Sequence, residues 1–418
     1  MSRSVLSHDV RRVAGAALPL YVSMVAVSVS ALVTTAALGR SGTVELAAFS
    51  VTGAVYFPAL AAVTGAVRGV LPFVRPGDVE QVVRDGAWLA VFAGLLGAVA
   101  VACVPLVARG SGVEPEVVAA LGAFPAFMAA GVVITGFGAM GTSVLVGLGR
   151  GKAVLRACLL VAACTAVLSP LLVGFFGLNG AGVAYCAAQS VGCAVTMSLL
   201  RGELRHGPGW KVHLGHVVEL ARVGLPLAGT ALVKFAVLGV LAIAAARISA
   251  TAAAAHNIAT SLVGLAFTAA IAIGQAVVPV VSARAGGDGV RRAVAAGLVV
   301  ALVALPVGCG IVVLGDVVPL FSTDPAVVAV VRGLLPLVVL VVFADGVQAV
   351  LGFGLVGLKR TTPSLVVFAV CFGVLAAVAL GTRDLTGLWV ALVVADVAIG
   401  VGQGTAFLLA VRLRRTAR

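Results

Sequence analysis

Charge is scarce in this chain. Only 10% of its 418 residues are Asp, Glu, Lys or Arg, while 61% are hydrophobic and the mean hydropathy is +1.20. That balance excludes a soluble globular domain and defines an integral membrane protein, with the lipid bilayer as its solvent. Lysine is scarcer still, confined to Lys152, Lys211, Lys234 and Lys359. No two of the seven cysteines have the C-x-x-C spacing of a metal centre, and all lie in apolar segments where they read as small core residues, so no metal or other cofactor is expected. The opening MSRSVLSHDVRR has no apolar core and no small-residue cleavage site, so the first span is expected to be kept as structure. The net charge of +13 is scattered over separate membrane-flanking segments and forms no continuous stripe, which argues against a nucleic-acid partner.

Other chemistries lack their parts. GFGAMG, at 136–141, matches a dinucleotide fingerprint in spelling, but it lies inside an apolar span with no strand before it and reads as helix-packing glycine. GLGRGK ends before an alanine, without the hydroxyl that holds magnesium in a phosphate loop, and direct drive by ATP is not expected. His213 and His216 lie in a polar loop without further ligands, where solvated side chains are the expected reading rather than a metal site. The intramembrane acids are single and separated, which disfavours an intramembrane enzyme, and no ring of repeated charge suggests a channel.

What the chain does have is apolar runs. Twelve of them reach the roughly 20 residues that a spanning helix needs. They cover 13–38, 44–74, 86–108, 115–144, 153–175, 181–200, 217–246, 250–282, 293–315, 326–356, 362–380 and 386–411. Most of the 28 basic residues fall on one side of this count, the side that holds both termini, and only Arg40, Arg109, Arg247, Arg332 and Arg383 occupy the loops of the other. The positive-inside rule therefore places both termini in the cytoplasm.

The chain also repeats itself. RVAGAALPLYVSMVAVSVSALVTTAAL and LARVGLPLAGTALVKFAVLGVLAIAAA each carry a basic residue and Leu-Pro-Leu at the membrane entry. At one constant offset Pro19 maps to Pro226, Ala47-Ala48 to Ala254-Ala255 and Pro72 to Pro279, and after a small loop shift Gly147-Leu148 maps to Gly357-Leu358. Six spans in each half give parallel repeats about an axis along the membrane normal. The expected fold is therefore all-α, with twelve transmembrane helices in two parallel-repeat six-helix bundles, 1–210 and 211–418, joined through RGELRHGPGWKVHLGH at 201–216. Proteins built this way bind cargo near the midplane and alternate between inward-open and outward-open states, which favours a secondary transporter.

Over essentially its whole length the chain also resembles the MATE (multidrug and toxic compound extrusion) family. The resemblance runs through ALPLYVSMVAVSVSALVTTAALGRSGTVELAA, AAHNIATSLVGLAFTAAIAIGQA, FADGVQAVLGFGLVGLKRTTPSL and GLWVALVVADV, in order and at matching spacing. It implies twelve helices and export driven by a proton or sodium gradient. It also marks departures. Where the family typically has an aspartate in the first span this chain has Thr34, and where many bacterial members have a glutamate eight residues after the proline of the seventh span it has Lys234. Asp345 stands where the tenth span of the family carries an acid used for cation coupling, and Asn257 stands where members often have glutamine.

Four charges remain inside the spans, Arg68, Lys234, Asp345 and Asp396, each costing roughly 2.5–3.5 kcal/mol at a helix centre. Lys234 and Asp345, in helices that the resemblance places around one cavity, are expected to neutralise each other. That bridge is either purely structural or a switch in which protonating Asp345 releases Lys234. One carboxylate beside one ammonium is a poor sodium site, so protons are expected in preference to sodium. Arg68 either snorkels to the near surface or faces the cavity, where the repeat maps it onto the polar Gln275. Gln348, one turn from Asp345, and Asn257 are candidate contacts for cargo, or else interhelical hydrogen bonds. Asp396 either caps a polar seam or pairs with a cation.

The reading that joins these features is a secondary exporter, not an enzyme, sitting in the inner cell membrane. It would exchange protons for amphipathic small molecules by alternating access, as a functional monomer. The alternative is a flippase for lipid-linked or anionic metabolites, anchored by Lys234 and Arg68. An intramembrane enzyme is the remote third reading.

Overall fold

The computed structural model describes residues 3–75, 77–204, 211–284 and 286–416. Residues 205–210 of the polar linker lie outside the described residues. Among those described there are no strands. The helices are α1 (Arg3–Ser41), α2 (Thr43–Arg68), α3 (Val79–Ala102), α4 (Val104–Gly110), α5 (Pro115–Ala120), α6 (Phe124–Gly147), α7 (Gly151–Arg201), α8 (Leu214–Ile248), α9 (Ala250–Ser282), α10 (Gly287–Leu314), α11 (Pro325–Gly357), α12 (Thr362–Gly381) and α13 (Leu385–Thr416). Among the described residues eleven segments are long and apolar enough to span a bilayer. The 51-residue α7 counts as two of the expected twelve spans, because Gly177 breaks it. Gly177 has φ 56 and ψ −138, a backbone conformation open to glycine, and an added Cβ there would lie 2.5 Å from Glu45 Oε1. The fold is the twelve-helix architecture that the hydropathy pattern predicts.

Lipid explains both the helices and their outward faces. Without water, every backbone N–H and C=O must be paired within the segment. Large apolar side chains that would be buried in a soluble protein point outward here, including Leu32, Leu96, Phe175 and Leu314.

The chain separates into two compact units, 22–232 and 1–21 with 233–418. In the first, Leu38, Tyr56, Val101, Phe124 and Val132 form a core between α1, α2, α3 and α6. In the second, α11 packs along α9 and α13, and Trp389, Phe372 and Leu241 fill one core while Val277, Val294 and Phe407 fill another. Both unit boundaries fall inside helices a short way after a proline, after Pro19 in α1 and after Pro226 in α8. Val13 and Ala17 of α1 belong to the core of Val277 and Val294, and Arg284 Nη2 donates to Asp9 Oδ1 at 2.8 Å. The first turns of α8 pack instead on α2 and α3.

The contact of α8 with α2 leaves no room for a side chain. A Cβ on Gly224 would lie 2.0 Å from the Ala66 carbonyl oxygen, and one on Gly69 would lie 2.5 Å from the Gly224 nitrogen. Small residues at such a crossing let two backbones touch. Gly224→Val is therefore expected to lower the thermal midpoint of the purified protein, with overpacking costing about 1–3 kcal/mol. Gly239→Val, where an added Cβ meets nothing within 4 Å, should leave the midpoint nearly unchanged.

Candidate functional site

The charged site lies in the unit of 1–21 and 233–418. α8 presents Lys234 and α11 presents Asp345, and Lys234 Nζ donates to both carboxylate oxygens, at 3.1 and 3.3 Å. Gln348, one turn further along α11, donates through Nε2 to Asp345 Oδ1 at 2.9 Å. Asp345 is only 2% exposed, so its charge is matched by an ammonium and an amide where water is nearly absent. Lys234 Nζ also lies 3.5 Å from the centroid of the Phe267 ring on α9, and the ring face supplies a second attraction for the cation. Phe267 was hidden in the sequence, where one phenylalanine in an apolar helix carries no signal.

The remaining sequence candidates divide. Gln348 is spent on Asp345 and nearly fully buried. Asp396, on α13, is 2% exposed. Gln275, on α9, is buried with its Nε2 unpartnered. Asn257, also on α9, is exposed, and its carbonyl accepts a hydrogen bond from Ser261 Oγ at 2.8 Å. Arg68 ends α2, is half-buried, and has no hydrogen bond or ion pair among the described residues.

The unit of 22–232 holds a different kind of site. A cavity of about 240 Å³ is lined by Thr34, Phe49, Tyr56, Thr135, Tyr185 and Gln189 among others, with no charged side chain. Tyr56 donates to the Tyr185 hydroxyl, which also bonds Thr135 Oγ1 at 2.9 Å, and Thr34 donates to Ser169 Oγ at 2.9 Å. Thr34, which stands at the position of an expected family aspartate, thus lines an uncharged pocket. The two tyrosines meet edge to face, 5.8 Å between centroids, and give the pocket flat apolar walls with hydroxyl tips.

His213 lies exposed in the loop before α8, as expected, while His216 corrects the expectation of a solvated loop residue. His216 begins the first turns of α8, and its Nδ1–H donates to Asp85 Oδ2 at 2.8 Å. Arg84 donates to Asp85 Oδ1 at 3.0 Å and to His213 Nδ1 at 2.6 Å. The Asp85 side chain is fully buried, and the ring of Phe73 packs edge-on against His216. Sequence spacing gave no hint of this cluster, since Asp85 and His216 are 131 residues apart. Among the described residues no group of three or more His, Cys, Asp or Glu is placed to hold a metal ion.

Comparison with known proteins agrees with this architecture. The MatE family model matches residues 19–171 and 226–381, one match per half, and the chain belongs to that family. Comparison with proteins of curated function found no significant sequence match. Among solved structures, a mutant of the Vibrio cholerae MATE transporter VcmN superposes with a TM-score of 0.85 at 17% identity, covering 98% of both chains. A MOP superfamily transporter from Pyrococcus furiosus, described as having a binding pocket of reverse polarity, gives 0.84 at 16% identity over 97% of both chains. A multidrug resistance MATE transporter in an outward-facing conformation gives 0.83 at 16% identity, again over 97% of both chains. The protein is a multi-pass membrane transporter of the MatE family.

The ion pair makes a stability prediction. Lys234→Ala leaves Asp345 buried without its cation, and removing one partner of a buried pair costs roughly 3–5 kcal/mol. The double variant Lys234→Leu/Asp345→Leu removes both charges and is expected to recover most of the lost thermal midpoint. A double variant as unstable as the single one would show that the helices depend on something other than the paired charge.

Proposed function

We propose that this transporter is a proton-coupled exporter of amphipathic organic molecules. It lies in the inner membrane with both termini in the cytoplasm and works as a monomer, with the repeat halves 1–210 and 211–418, their first helix turns exchanged as in the compact units 22–232 and 1–21 with 233–418, as its alternating bodies. The observation that carries the coupling is the Lys234–Asp345 pair. A carboxylate held by an ammonium and an amide has its donors already in place, so a proton or a charged cargo can act only by competing for them. Sodium, which asks for several hard oxygens, is disfavoured by the ammonium at the same site. The uncharged pocket of Tyr56, Tyr185 and Thr135 suits the aromatic part of an amphipathic cargo.

One observation favours a second reading, an anionic or lipid-linked cargo. Arg68 has no carboxylate partner among the described residues, and no acid lines the pocket.

Ethidium efflux from inside-out vesicles under an imposed proton or sodium gradient separates these readings. Proton-driven efflux, with Asp345→Asn slower by about tenfold or more, the loss of roughly 1.4 kcal/mol of coupling, is expected. Sodium-stimulated efflux that ignores the proton gradient would refute the coupling. A folded preparation that moves no ethidium but accelerates an anionic dye would establish the second reading.

A further inference from the structure

Asp396 is the buried charge that the paired residues leave unexplained. Asp345 receives three donor contacts, two from Lys234 and one from Gln348. Asp396 is as deeply buried, and among the described residues no hydrogen-bond donor or ion-pair partner reaches its carboxylate. Its place beside Asp345 follows from helix register. α11 and α13 run in the same direction, with Gly400 opposite Gln348 and Gln403 3.2 Å from the Cβ position of Gly352. Asp345 and Asp396 each lie two turns before that last contact, on the same faces.

Among the described residues α9 and α12 carry no Lys or Arg, and α10 carries its arginines only near its start. On α9 the buried titratable side chain is His256, which packs on the ring of Trp389 two turns before Asp396. Beyond the charges at the start of α10, the titratable groups of α10 and α12 are the thiols of Cys309 and Cys371. Two carboxylates therefore share one ammonium in a medium of low dielectric, and both cannot be ionised together without an unbalanced buried charge.

We infer that Asp345 and Asp396 share one exchangeable proton, held at rest on Asp396, and that Lys234 is their common counter-ion. This rests on the proton-coupled reading above and makes Asp396 the proton carrier of the cycle. When the Asp396 carboxyl loses its proton to water, the new carboxylate competes for Lys234. The ammonium is then drawn from Asp345 and from the face of Phe267, and the contact between α8 and α11 weakens. Reprotonation of Asp396 restores it. A carboxyl with no donor of its own accepts a proton more readily than one already held by three.

The test reads the proton directly, by infrared difference spectroscopy of the full chain in liposomes over a pH titration, with no cargo needed. Wild type should give the carbonyl stretch of a protonated carboxylic acid at neutral pH, shifted in heavy water and lost at alkaline pH. Asp396→Asn should remove that band, and Asp396→Glu should move it. Lys234→Met leaves two carboxyls without a counter-ion and should raise the protonated signal about twofold. In Asp345→Asn the freed Lys234 should pair with Asp396, and the band should disappear. An unchanged band in Asp396→Asn or in Lys234→Met overturns the inference. The outcomes stay separable from those of the efflux assay, because sodium-driven efflux alongside an intact Asp396 band would refute the proton-coupled cycle while leaving the shared proton in place.

Discussion

A bilayer offers no water to a polar group, and this single constraint organises the protein from backbone to site. It selects helices for every span, since a helix pairs its own N–H and C=O groups. It also decides what small polar side chains do. Thr52, Thr142, Thr165 and Thr230 all return their hydroxyls to the carbonyl four residues earlier in their own helix. Against that background an ionised side chain is conspicuous, and each one must find a partner or a proton. Lys234 finds Asp345 and an aromatic ring, and Asp85 finds Arg84 and His216.

The two repeats have spent this freedom differently. The half that begins at Arg3 keeps a neutral pocket of tyrosine and threonine hydroxyls, in which Thr34 lines the wall. The half that begins at Leu214 gathers Lys234, Asp345 and Asp396. Duplicated bundles with one fold thus present chemically opposite interiors, one lined by hydroxyls and aromatic rings and the other holding buried charge.

How much of this was legible from residues alone follows from the range of each interaction. Hydropathy is local, so the spans were readable, as was the break near Gly177 that separates 153–175 from 181–200. The Lys234–Asp345 pair was readable too, because the family resemblance places their helices around one cavity and burying either charge alone is costly. Phe267 was not, since a ring's electrostatic role depends on where it points. The Asp85 cluster was not either: its members are unremarkable at helix ends until the first turns of α8 fold back on α3, and no periodicity encodes that contact.

The exchange of helix ends has a consequence for synthesis. Val13, Ala17 and Asp9 pack against Val277, Val294 and Arg284, groups that are made more than half this chain's length later. Those first turns must wait, inserted but unpacked, until α9 and α10 have entered the bilayer. A chain stalled after α7 would carry the first turns of α1 without the α9 and α10 side chains they pack against.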